Sequence, residues 1–184
     1  LLCCIDVAEK LGRLPVKAVF YDEEAIHPPT IDYVRRISKS DEVDLEWYCL
    51  PIKHRNACSN SQPFWHCWNP EEKDIWIRDL PPEGITEHDR FSMGQSMQDF
   101  GLAHFKNTNK VVIQGIRTEE GIRRYRVVAR KKNENYISKP ENGVYFAYPI
   151  YDWSSEDVWR LVKIKDAGYN RTYDVFNRTD QYGK

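Results

Sequence analysis

The chain has 184 residues, 41% of them hydrophobic and 30% charged, with a mean hydropathy of −0.70. An aromatic content of 13% argues against disorder, and no apolar run approaches the ~20 residues that span a bilayer, so one α/β-sized domain is expected. With 27 basic against 28 acidic residues, any affinity for nucleic acid has to be local, and five unevenly spaced cysteines fit a reducing cytoplasm better than a disulfide framework.

Leu1, Cys4, Ile5, Ala8 and Leu11 share one face at helical spacing, and Gly12 is placed to end that helix. A helix that opens with no cap and no strand before it predicts that Leu1 is not the native start. An upstream strand and turn of about 25 to 45 residues is the expectation. Val16–Tyr21 reads as a buried strand ending at Asp22. Residues 30–39 read as a helix entered through Pro28-Pro29, with Ile31, Val34 and Ile37 inward. Val43, Leu45, Trp47 and Cys49 alternate as a second strand, stopped by Pro51. Strand, helix, strand at this spacing predicts a parallel sheet.

Residues 51–89 are rich in Trp, Pro, His and Asn and read as an insertion over the sheet edge where ligands bind. One short helix is expected there, capped by Asn69, with Pro70 in its first turn and Glu72 closing a capping box. Residues 92–105 are expected to be helical, and residues 110–114 form a third strand. Thr118 is the expected N-cap of the next helix, with Glu119 and Glu120 in its first turn. Residues 144–150 read as another strand, and Ser154 to Asp157 cap a helix carrying Val158, Trp159, Leu161 and Val162. The whole is a doubly wound, Rossmann-like α/β arrangement.

Ligands of open α/β sheets sit at the carboxyl ends of strands. Asp22 and Glu23 end the first strand, where acids accept hydrogen bonds from a ribose or base amine or hold magnesium; the bland alternative is a solvated loop. Gly115, Arg117, Glu120 and Arg124 follow the third strand. Guanidinium groups there bind phosphate or sulfate in bidentate fashion, Gly115 lets a ligand approach, and Glu120 orients an arginine. The alternative is a basic surface helix, since Arg123, Arg126, Arg130, Lys131 and Lys132 extend the charge and could grip nucleic acid through residues 117–132. Asp152 and Trp153 precede the last cap, where such residues touch a ligand or close a turn. Cys49, Cys58 and Cys67 with His54 and His66 lack the close ligand pairs of a zinc site, so buried free thiols and no metal are expected. Trp65 and Trp68 either stack on a base or pack the insertion.

Together these residues resemble the phosphoadenosine phosphosulfate reductase-like branch of the PP-loop ATP-pyrophosphatase superfamily. Val19-Phe20-Tyr21-Asp22 with Pro29-Thr30 matches its second strand end. Gly115, Ile116, Arg117, Glu120 and Arg124 match its arginine motif, with Gly121 where a Ser is usual. Pro149, Ile150, Asp152, Trp153, Ser154, Asp157, Val158 and Trp159 match a third motif, and Tyr169-Asn170-Arg171-Thr172-Tyr173-Asp174 also looks like family usage. The resemblance covers about residues 1 to 175 and is nearest to the phage and enterobacterial immunoglobulin-binding regulator A group, on the Trp-rich 63–68 run and the 130–136 run. It implies an adenine nucleotide, ATP or phosphoadenosine phosphosulfate, as substrate, with magnesium, and pyrophosphatase or sulfur-transfer chemistry. The family's Ser-Gly-Gly-x-Asp-Ser phosphate loop would precede Leu1, and its Glu-Cys-Gly reductase motif has no match here. The other reading is a non-catalytic regulatory or nucleic-acid-associated protein that keeps the fold. A second copy of the chain, as a homodimer, is a further partner under either reading.

Overall fold

β-branched and aromatic residues dominate Val16–Tyr21 and Val43–Tyr48, which form β1 and β2. They pair in parallel, from Val16 opposite Val43 to Tyr21 opposite Tyr48. A parallel pair needs a crossover, supplied by α2 (Pro28–Ser38), which starts on its two prolines and buries Ile31 and Val34. The helix opens two residues earlier than the pattern suggests, because proline is tolerated in a first turn that has no N–H bonds to lose. α1 (Leu2–Lys10) precedes β1 and ends at Gly12, whose φ of 62° suits glycine. Of its expected inner face Ile5 is buried, whereas Leu1 and Leu11 are exposed.

The computed structural model describes residues 1–108, 110–129, 136–137 and 143–175. They fall into two units, one of residues 1–100 with the segment from Asn170, the other of residues 101–169.

The first unit has its core on β2 and the chain after it. Trp47, Cys49, Leu50, Ile52, Cys67 and Phe100 are almost wholly buried. Phe100 meets the rings of Tyr21, Tyr48, His88 and Phe91 edge-on, with centroids 5.2–5.8 Å away. Burying such a side chain contributes about 1.5–3 kcal/mol, and truncating Phe100 to alanine should cost about 3–5 kcal/mol once the cavity is counted. Residues 51–89 hold β3 (Lys53–Arg55) and β4 (Phe64–His66), an antiparallel pair, and a 3-10 turn at Pro70–Ile75. Asn69 caps that turn through the Glu71 N–H. The expected capping box gives way, since Glu72 lies off helical geometry at φ −116°. α3 (Met97–Phe105) is shorter than the 92–105 expectation. Ser92 to Gln95 close a turn, and Ser96 with Asp99 make the cap.

In the second unit β5 (Val111–Ile113) and β6 (Tyr145–Ala147) pair in parallel. β6 stops short of residue 150 because Pro149 has no N–H for a ladder and the chain turns through Tyr148 to Trp153. Thr118 does not cap α4 (Ile122–Ala129). It opens a separate 3-10 turn, Thr118–Glu120, and its N–H goes to the Tyr151 carbonyl at 2.8 Å. α5 (Ser155–Ile164) starts as expected, with a complete Ser154–Asp157 capping box. Among the described residues the ladders are three two-stranded ones, two parallel and one antiparallel, in a mixed α/β chain.

Candidate functional site

Asp22 leaves β1 into a turn that places Glu24 at φ 61°, a left-handed backbone that costs a non-glycine residue about 1 kcal/mol or more. Hydrogen bonds hold it there. The Glu24 carboxylate accepts from the Trp68 N–H at 2.7 Å and the Ile77 N–H at 2.8 Å. Asp22, fully buried, accepts from Trp47 Nε1 at 2.7 Å and from the Glu24 N–H at 2.8 Å. The Arg78 guanidinium bonds both Asp22 oxygens through Nη2 and the Glu24 carbonyl through Nε at 3.0 Å. It also lies 4.6 Å from the Trp68 ring centroid. A buried carboxylate is costly unless its lone pairs are met, and here they are.

Asp22 is therefore an anchor for the 64–78 stretch. Magnesium does not fit it, because both carboxylate oxygens are engaged; Glu23 beside it is half-buried. The two buried thiols border the same knot. Cys67 Sγ donates to the Leu50 carbonyl at 3.3 Å, and Cys49 Sγ lies 3.9 Å from Asp22 Oδ2. Burial pushes both thiols up, Cys67 to about 12. Cys58 is exposed. Trp68 is buried with its ring edge-on to Trp76 at 5.2 Å, and Trp65 is half-buried beside His54 at 5.5 Å, so both are packing residues. Nothing near Arg78 in the sequence marks it as the partner of Asp22, which lies 56 residues earlier.

The second unit gathers the arginine motif and the third motif at the carboxyl ends of β5 and β6. Arg117 Nε donates to Glu120 Oε1 at 3.3 Å, and Arg124 Nε forms an ion pair with Glu120 Oε2 at 3.0 Å. Glu120 thus bridges the two arginines. Arg117 Nη1 reaches Glu119 Oε2 at 3.0 Å, Ser155 Oγ at 3.3 Å and the Trp153 carbonyl at 3.5 Å. The Arg117 side chain is 14% exposed and that of Arg124 50%, so the first is fixed and the second reachable. Asp152 is exposed and Trp153 half-buried. Asp152 is also the main cause that raises the Tyr136 hydroxyl. A Cβ on Gly115 would meet Ile150 at 3.8 Å, an ordinary contact, so packing within the chain does not demand glycine there.

Glu119 is a residue the pattern misses. It reads as a helix-first-turn acid, yet it bonds the start of α5. Arg123, Arg124 and Arg126 are exposed on α4, while Arg130, Lys131 and Lys132 lie outside the described residues. In the first unit Asn170 Nδ2 donates to Thr30 Oγ1 at 2.9 Å, which ties the Tyr-Asn motif to the start of α2.

The phosphoadenosine phosphosulfate reductase domain family matches residues 2–177. The chain is also 27% identical over 187 residues to the uncharacterized protein YbdN of Escherichia coli K12. That match covers 92% of this chain and 45% of YbdN, so the chain spans about half the length of this relative.

Proposed function

This chain belongs to the phosphoadenosine phosphosulfate reductase domain family, and from that premise we propose that it binds an adenine nucleotide, ATP or a sulfonucleotide, by its phosphate end. The observation that carries this is the Arg117–Glu120–Arg124 relay, set between the loops that follow two parallel strands. Ligands of α/β sheets collect at such strand ends, and planar guanidinium groups match phosphate and sulfate oxygens. Arg117 and Arg124 take the anion, and Glu120 holds the two in register. Gly115, which packing leaves free to be any small residue, gives the ligand room beside the backbone. Asp152 and Trp153 border the same loops. Glu23, in the other unit, is a separate candidate contact for a ribose or base amine, with the buried Asp22 beside it.

For the whole protein we propose a doubly wound, Rossmann-like sheet with residues 51–89 as an insertion, working in the cytoplasm. Release of pyrophosphate or transfer of sulfur would be that protein's chemistry, and this chain supplies the anion contacts to it. No helix among the described residues is long and apolar enough to cross a membrane. A second reading has one observation in its favour: Arg123, Arg124 and Arg126 are all exposed on α4 and could meet nucleic-acid phosphates.

Calorimetric titration with ATP and with phosphoadenosine phosphosulfate separates the two. Arg117→Ala should abolish most of the binding and Arg126→Ala little of it. Equal small effects, with steep salt dependence of binding to a single-stranded oligonucleotide, would replace the first reading by the second.

A further inference from the structure

The Ser155 N–H is one of the first amides of α5, which have no partner within the helix itself. The Ser154 cap serves the Asp157 N–H and leaves Ser155 to others. Its partner comes from another loop. Glu119 Oε2 accepts the Ser155 N–H at 2.5 Å and the Ser155 hydroxyl at 3.1 Å. The same oxygen accepts Arg117 Nη1 at 3.0 Å. Arg117 is thus gripped twice, at Nε by Glu120 and at Nη1 by Glu119. Two grips fix the plane of a guanidinium. Its Nη2 makes no hydrogen bond among the described residues, so it is the edge left over for an anion.

We propose that Glu119 is a positioning residue, which sets the Arg117 guanidinium against the first turn of α5 so that Nη2 serves the phosphate or sulfate of the ligand. The inference rests on the nucleotide reading above and names how its central arginine is held. A second carboxylate beside an anion-binding arginine also repels the anion, and the two effects have opposite signs. Glu119 is 52% exposed, where repulsion is screened by water and salt, so positioning dominates.

Three variants decide it. Glu119→Ala removes both grip and charge and should weaken ATP and phosphoadenosine phosphosulfate binding about tenfold, the size of one lost charge-assisted contact. Glu119→Gln keeps an oxygen for Ser155 and should stay within about threefold of wild type. In an Arg117→Ala background Glu119→Ala should add less than about twofold, because there is no guanidinium left to position. Tighter binding by Glu119→Ala, or full additivity with Arg117→Ala, would overturn the proposal.

Hydrogen exchange of the Ser155 amide, measured with no nucleotide present, tests the grip alone. Glu119→Ala should speed it about three- to tenfold, the net worth of one hydrogen bond. Unchanged exchange overturns this inference by itself. Wild-type protein that binds neither nucleotide overturns the functional reading instead.

Discussion

Arg78→Ala is the substitution whose cost the structure specifies most fully. It removes the only cation that touches the buried Asp22 carboxylate among the described contacts, a bond to the Glu24 carbonyl and a cation over Trp68. Breaking a buried pair by deleting one partner costs about 3–5 kcal/mol. Asp22 keeps its bonds from Trp47 Nε1 and the Glu24 N–H, which moves the expectation to the lower end, about 3 kcal/mol. Urea unfolding followed by tryptophan fluorescence is the assay. At a slope of about 2 kcal/mol per molar, the midpoint should fall by about 1.5 M with the slope unchanged. Adding Asp22→Asn to Arg78→Ala removes the stranded charge and should return about 1–2 kcal/mol. A midpoint shift below about 0.25 M would put the pair in the range of exposed ion pairs and refute the reasoning.

In nucleotide titrations Arg117→Ala should lose about 1.5–3 kcal/mol, the worth of a charge-assisted contact, against little for Arg126→Ala. Ser154→Ala should destabilise the start of α5 by about 1 kcal/mol, read by thermal unfolding. Hydrogen bonds from Ser154 hold the Asp157 carboxyl below its ordinary value, so the bond from the Ser154 hydroxyl to that carboxylate is complete above about pH 4 and is lost as pH falls through the folded-state value, while the bond Ser154 Oγ accepts from the Asp157 N–H does not titrate. The stability gap between Ser154→Ala and wild type should accordingly narrow in acid without vanishing. With a thiol reagent at pH 8, Cys58 should label in the folded protein, while Cys49 and Cys67, buried and with raised thiols, should label only on unfolding. Elemental analysis should find no stoichiometric zinc, and a metal lost on Cys58→Ser with Cys67→Ser would overturn that.

β1, α2 and β2 are legible from sequence because local signals agree there: alternation, a proline pair at the helix entry and a proline stop. The α5 cap is equally local, with all its bonds inside four residues. Thr118 misleads because a carbonyl on another loop, that of Tyr151, takes its N–H and turns a good cap residue into the start of a tight turn. The arginine motif is readable as a motif, but the part of Glu119 in it is not, since its partner Ser155 lies 36 residues away. Asp22 shows the same limit in the other unit. Its position at a strand end suggests an open acid, and Trp47 on the neighbouring strand together with the distant Arg78 closes it. Spacing reports what a residue can do locally, and tertiary partners decide what it is left free to do.

The order of synthesis matters for the knot around Asp22. Arg78 leaves the ribosome 56 residues after Asp22, and Trp68 and Ile77 follow Glu24 by 44 and 53 residues. At about 5–20 residues per second, the nascent chain carries the end of β1 for about 3–11 seconds before its counter-ion exists. During that interval Asp22 and Glu24 are better hydrated than buried, and the left-handed turn at Glu24 has only its local bonds, such as that from the Glu24 N–H to Asp22, to sustain it. β1 and β2 can pair meanwhile, since α2 and both strands precede residue 49. The carboxyl end of that pair then closes last, and any substitution at Arg78 prolongs a wet, unfinished state in the growing chain as well as weakening the finished one.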